Sequence, residues 1–257
     1  MDFRNAKELL KVCQEQGLSI SAVMLQRELT EGEQDPEETD RKMDRVLEIM
    51  KSAASTPIHT PVKSMGGLIG GEAKKISDHK DAGKGLCGDL LERAVIYAMA
   101  TLETNASMGV IVASPTAGSA GIVPGLLLAL QETFDLSDEQ IKQGLYNASA
   151  IGYLAMRNAT VAGAVGKNLC LHTMIPLRCQ LPAVELMGGS PEQSLAAAST
   201  VLMNMLGLVC DPVGGLVEYP CQNRNAAGVA NATIAAEIAL SGVRQLIPFD
   251  EMLEAVY

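Results

Sequence analysis

Several times in this chain a Ser or Asp is followed, three residues on, by Glu or Gln and then by an apolar run at helical spacing, and three of these sites read as helix starts. The sites are Asp35-Pro36-Glu37-Glu38, Ser137-Asp138-Glu139-Gln140 and Ser190-Pro191-Glu192-Gln193. A side-chain oxygen at the N-cap and a Glu or Gln three residues later satisfy backbone N–H groups that a helix start leaves unpaired. Pro at the first helical position loses nothing, because its missing N–H would be unpaired there anyway. Each site therefore predicts a helix, running to about Ala54, about Arg157 and through Leu206 respectively. Phe3, Ala6, Leu9, Leu10 and Cys13 share one face of an earlier helix that Gly17 ends, and a short helix covers Ser21 to Glu28. Further helices are expected over Leu90 to Leu102, Gly125 to Thr133, Ala226 to Leu246 and Phe249 to Tyr257.

What fills the core follows from composition. Of 257 residues 47% are hydrophobic, yet only 3% are aromatic and there is no Trp. Ala, Val, Leu, Ile and Met must therefore pack the interior, which suits close-packed helices better than sheets. The fold class expected is mostly α, an Ala-rich helical domain with Gly-rich loops. A helical segment over 1–55 leads into a domain over 56–257, and the two read as one continuous unit. Val110 to Ala113 could be a short strand or a buried helix end.

The formal charge is −10. That argues against a nucleic-acid partner, which demands clustered Lys and Arg. The N-terminus has no apolar signal-peptide core. The uncharged stretch from Asn105 to Gln131 is interrupted by Pro115, Pro124 and several glycines, so it does not read as a membrane span. A cytoplasmic protein is the expectation.

Three stretches depart from what packing alone would write. Thr56 to Asp89 is rich in Gly, with Pro57, Pro61, His59 and His79, and is expected to be a long loop: a functional element, a lid or a plain surface linker. Within it, Ser64, Gly66 and Gly67, beside Lys63, offer a hydroxyl, a cation and open backbone that could receive an amino-acid carboxylate. Thr116 to Gly121 is a Gly-rich turn with hydroxyls at Thr116 and Ser119. It is either an anion-binding turn or a place where helices pack too closely for a side chain. Cys210 and Cys221 flank a Pro- and Gly-rich turn. They could be two buried thiols or two metal ligands. The other cysteines are Cys13, Cys87, Cys170 and Cys179, and none of the six lies in a CxxC pair.

Five motifs carry a family resemblance. They are Asn-Ala-Ser-Met-Gly at 105–109, Pro-Thr-Ala-Gly-Ser-Ala-Gly-Ile-Val-Pro-Gly at 115–125, Gly-Gly-Ser-Pro-Glu-Gln at 188–193, Asn-Met-Leu-Gly-Leu-Val-Cys-Asp-Pro-Val at 204–213 and Val-Glu-Tyr-Pro-Cys-Gln-Asn-Arg-Asn at 217–225. From about residue 60 to 257 the chain resembles the α chain of iron–sulfur-dependent L-serine dehydratases. The resemblance implies a helical catalytic chain that binds a [4Fe–4S] cluster through three cysteines. One iron would be a Lewis acid for the serine hydroxyl, and the products would be pyruvate and ammonia. It also implies a separate β chain as partner and an oligomeric assembly. Cys210 and Cys221 match two cluster ligands. Ser64, Gly66, Gly67, Asn105, Thr116, Gly118 and Ser119 match loops expected to face substrate or cluster.

Two departures accompany the match. The family's third cysteine aligns with Asn168, and Cys170, two positions on, is the nearest thiol in sequence. The block from Lys167 to Pro182 reads as locally scrambled, as two compensating frameshifts would leave it. The family also continues beyond the position of Tyr257. A member lacking a complete cluster site, or an anion- or amino-acid-binding protein, is the alternative function.

Overall fold

The computed structural model describes residues 2–158, 177–208 and 213–256. Among these the chain is built of α-helices and single 3-10 turns, with no strand. Two short N-terminal helices, α1 (Ala6–Gln16) and α2 (Ile20–Thr30), precede the long α3 (Pro36–His59). Then come α4 (Glu72–Asp81), α5 (Asp89–Ala106), α6 (Ile122–Phe134), α7 (Asp138–Asn158), α8 (Leu177–Leu186), α9 (Pro191–Met205), α10 (Cys221–Leu240) and α11 (Phe249–Val256).

All three predicted caps form. Asp35 accepts from Glu38 N at 2.9 Å. Ser137 and Gln140 bond reciprocally, through Gln140 N at 3.3 Å and Ser137 N at 2.9 Å. Ser190 and Gln193 do the same. Gly17 ends α1 in the left-handed region, with φ 65°.

The helix α6 runs through the core. Every residue from Ile122 to Leu130 is buried, so it is apolar all round, the signature of a helix inside a core. It lies closest to α5, which also packs on α3, α4 and α10. The α5–α6 crossing is possible because of glycine. A Cβ at Gly121 would sit 2.3 Å from the Ala98 carbonyl oxygen, and one at Gly125 would sit 2.9 Å from that of Ala94. Small residues are what bring these two backbones together.

Four expectations need correction. The helix α3 runs on to His59, past Pro57. Pro57 has no N–H for the Ala53 carbonyl, and the Thr104 hydroxyl of α5 donates to that carbonyl instead, at 2.8 Å. The stretch from Thr56 to Asp89 is not all loop, since it contains α4. Val110 to Ala113 is neither strand nor helix; no other strand exists among the described residues to pair with it, and Val110 is exposed. The last long helix starts at Cys221, before Ala226, and stops at Leu240 rather than Leu246, two residues before Gly242 at φ 79°.

The two ends of the chain are joined. The Asp250 carboxylate of α11 accepts from Ala6 N at 2.8 Å and Lys7 N at 3.1 Å, so a residue far along the chain serves the N-terminus of α1. Asp250→Ala is expected to cost about 1–2 kcal/mol, the range for losing a charged N-terminal acceptor. Urea unfolding compared with wild type checks it; an unchanged midpoint would refute the assignment.

Candidate functional site

The loop between α3 and α4 reverses sharply, with Gly67, Gly70 and Gly71 all at positive φ. Met65 N donates to Ala106 O at 2.9 Å, which fastens the loop to the last turn of α5. Four of its amides, those of Gly66, Leu68, Gly70 and Gly71, donate to carboxylates of the protein itself. Glu218 accepts from the Ser64 hydroxyl at 2.6 Å, Gly66 N at 2.6 Å and Leu68 N at 3.0 Å. Glu72 accepts from Gly70 N at 2.5 Å. Glu103 of α5 accepts from Gly71 N at 3.0 Å and Ala73 N at 2.9 Å, and so supplies the N-terminal acceptor that Gly71, lacking a side chain, cannot give α4.

Glu218 and Glu103 are both buried, yet their acidities move in opposite directions. Burial works to raise Glu218, but the bonds from Ser64, Gly66 and Leu68 outweigh it and hold the carboxyl below its ordinary value. For Glu103 burial wins: the bonds from Ala73, Gly71 and Gln222 only partly offset it, and the carboxyl is pushed up.

The segment 216–218 runs between this loop and the Gly-rich turn at 116–121. A Cβ on Gly66 would meet Leu216 Cδ1 at 2.3 Å and Glu218 Oε1 at 2.8 Å, and one on Gly118 would meet Val217 Cγ1 at 3.0 Å. Three residues on, Cys221 begins α10 and is buried and not in a disulfide. Its first turn is tied down twice. Gln222 Nε2 donates to Glu103 Oε1 at 3.1 Å. Asn225, fully buried, accepts from Gly121 N at 3.1 Å and donates to Gly118 O and to Cys221 O, both at 2.8 Å.

The residues expected to form a site therefore fall into place unevenly. Ser64, Gly66, Gly118 and Cys221 are brought together around 216–225. Gly67 lies in the same loop, its N–H donating to Ser64 O at 3.2 Å. Asn105 is in the last turn of α5, next to the Ala106 carbonyl that Met65 bonds. Thr116 and Ser119 share a hydroxyl bond of 2.9 Å, and Ser119 also donates to the backbone, so these two hydroxyls brace the turn from within. Cys210, Cys170 and Asn168 lie outside the described residues. Cys13 is a packing residue: burial pushes its thiol up to about 11.

The sequence reasoning singled out no role for Glu103, Glu218, Gln222 or Asn225. The last three stood inside a quoted motif in which attention went to the cysteine. Glu103 had a signal of its own, an acid in the otherwise apolar run of α5.

The described residues hold no group of three or more His, Cys, Asp or Glu side chains that could bind a metal, since Cys221 is the one thiol they place here. What they place does fit one corner of a thiolate-bound site. The thiol is buried at the start of a 20-residue helix, the end where the helix dipole favours negative charge.

Comparison with known proteins agrees with the motifs. Residues 15–257 match the family model described as serine dehydratase alpha chain. A probable L-serine dehydratase alpha chain of Bacillus subtilis is 44% identical over 255 residues, covering 99% of this chain and 85% of that protein. An L-serine dehydratase alpha chain of Peptoniphilus asaccharolyticus is 40% identical over 254 residues, 99% of this chain and 87% of that one. An L-serine dehydratase of Escherichia coli is 32% identical across 100% of this chain, which spans only 57% of that protein. With a family match over nearly its whole length and relatives above 40% identity, the chain belongs to the serine dehydratase alpha-chain family.

Proposed function

We propose that this chain is the catalytic alpha subunit of an L-serine dehydratase (L-serine ammonia-lyase), turning L-serine into pyruvate and ammonia, and that Cys221 and Cys210 hold a [4Fe–4S] cluster. The observation that carries this reading is the convergence on Cys221. Two Gly-rich loops, distant in sequence, close on the segment that leads into it, and both are bonded to residues of that segment or of the helix it opens.

When bound, such a cluster supplies a Lewis acid to the substrate hydroxyl at an iron without a protein thiolate. The chain's own residues do the rest. Cys221 presents a buried thiol at the start of α10, and Asn225 fixes that first turn through the Cys221 carbonyl. Ser64 and Gly67 set the shape of the loop that lies against Leu216 and Glu218, just ahead of Cys221 in the chain. The third ligand, for which Cys170 is the candidate, lies outside the described residues.

A second subunit completes the enzyme in this proposal. Two relatives named alpha chains are matched over 85% and 87% of their length, whereas the Escherichia coli relative carries substantial further sequence. Met65, Met108 and Val110 are apolar and 70–75% exposed, surface that a partner chain would cover. The reading carries a cytoplasmic location with it, where thiols stay reduced. No described helix is long and apolar enough to cross a membrane.

The anion-binding alternative finds less support, because Gly66, Leu68, Gly70 and Gly71 already give their amides to Glu218, Glu72 and Glu103. Anaerobic reconstitution with iron and sulfide tests the proposal. The expected result is a brown, oxygen-labile protein with broad visible absorption from thiolate-to-iron charge transfer, about one cubane per chain, and pyruvate formation from L-serine. A colourless chain that yields no pyruvate, with or without a second subunit, would overturn it.

A further inference from the structure

We propose that Glu218 is a positioning residue for the reaction: its buried carboxylate clamps the Ser64–Leu68 loop to the segment that delivers Cys221. The proposal rests on the dehydratase reading above and adds a residue through which the glycine loop and the cysteine are held in register.

Four observations support it. Both Glu218 oxygens are used, Oε2 by the Ser64 hydroxyl and Leu68 N and Oε1 by Gly66 N, so the carboxylate is held as a bidentate acceptor. The Ser64 hydroxyl in turn accepts from Ile69 N at 3.3 Å, which extends the clamp across the loop's whole reversal. Gly66 leaves no room for a Cβ against the Leu216 and Glu218 side chains, so the loop backbone lies directly on those side chains. Finally, Glu218 is 3% exposed and forms no salt bridge among the described residues. A buried acid without a cation is costly unless hydrogen bonds compensate it, and here the loop's donors do so. A surface linker would not require such an acid. An acid that must be ionised and fully bonded fixes both partners' positions at once.

Glu218 touches neither substrate nor reacting atoms in this scheme. It acts through the loop, so its loss should move substrate affinity more than turnover. A displacement of loop backbone by an ångström is enough to weaken a positioned contact severely.

The test compares wild type, Glu218→Gln and Glu218→Ala as anaerobically reconstituted full-length enzyme, with its second subunit if activity demands it. Glu218→Ala is expected to raise KM for L-serine about tenfold or more, the consequence of buried donors left without an acceptor, with a smaller change in kcat. Glu218→Gln keeps one acceptor oxygen but turns its amide N–H2 at a loop donor, so it should recover only part of the KM loss, about threefold relative to Glu218→Ala. Hydrogen exchange of the peptide spanning 64–69 is measured on the same proteins, with and without iron. In Glu218→Ala it should quicken about tenfold or more, while helices far from the site keep their protection.

Exchange that quickens as KM rises, with both recovering in part in Glu218→Gln, supports the clamp. Unchanged exchange overturns it. Quickened exchange with an unaltered KM also overturns it, since the contact would then be structural only. If the Ala variant does not fold, Ser64→Ala is used, which removes one donor and leaves the carboxylate; the same two readouts then decide. If wild type forms no cluster and no pyruvate, the dehydratase reading fails by itself, and the exchange measurement on the iron-free chain still shows whether Glu218 holds the loop.

Discussion

Gly121→Ala is expected to destabilise the chain by about 3 kcal/mol or more, because overpacking against backbone cannot relax, and so to lower its thermal midpoint by about 6–12 °C for a domain of this size. The added methyl carbon would lie 2.3 Å from the Ala98 carbonyl oxygen and 3.0 Å from its carbon, with Leu102 Cδ2 at 2.8 Å. Leu102 can turn aside. The carbonyl cannot, because it belongs to the middle of α5. Only a separation of α5 and α6 makes room, and that opens a buried helix pair. Conformation plays no part in the cost. Gly121 has φ −82° and ψ −23°, an ordinary helical pair for alanine. In open space the substitution would even be favourable by about 0.4–1 kcal/mol, through a less flexible unfolded chain. Gly188→Ala is the control. Gly188 has φ 81° and nothing within 4 Å of a Cβ, so it should lose only about 1–2 kcal/mol, from left-handed strain. Ala98→Gly should not rescue Gly121→Ala, since the carbonyl remains. Thermal unfolding of the three variants checks this, and a Gly121→Ala midpoint at or above that of Gly188→Ala would sink the argument.

The same glycine shows what could be read from residues and what could not. That the 116–121 turn needed glycine was legible, and close helix packing stood beside anion binding as its two explanations. The structure assigns Gly121 to packing, through a neighbour that no local pattern names. Helices with caps and apolar periodicity were legible because both signals are local. The helix α4 was not. Ala73 is its one buried residue, so it has no apolar stripe, and its N-terminal acceptor is Glu103, about thirty positions away. The early start of α10 was hidden for a related reason. Gln222 and Asn225 look like loop residues, but their side chains are spent on Glu103, Gly118 and Gly121. The candidate site was legible as a list of motifs. Its geometry was not, because what assembles it is a set of single long-range bonds to two acids.

Glu103→Ala should be the most damaging substitution among those acids, at about 3–5 kcal/mol, since each buried donor left unpaired costs on the order of 1–3 kcal/mol and the three costs overlap. Gly71 N and Ala73 N would lose their acceptor, and Gln222 Nε2 would keep only the Met99 carbonyl at 3.4 Å. The start of α4, the end of the glycine loop and the first turn of α10 would loosen together. Glu103→Gln keeps one acceptor oxygen and the volume, so it should recover part of that loss. The pH dependence separates charge from shape. Burial raises the Glu103 carboxyl above its ordinary value of 4.5, so over that window the folded chain holds a proton that the unfolded chain has released. The stabilisation from that proton is fully present below the unfolded value and is lost as pH rises through the folded one. Gln carries no such proton. The advantage of wild type over Glu103→Gln should therefore shrink as pH rises from 4.5, and urea midpoints measured for both proteins at stepped pH provide the check. An advantage that grows with pH would mean that the hydrogen bonds from Gly71, Ala73 and Gln222 outweigh burial, and that Glu103 is held in the manner of Glu218.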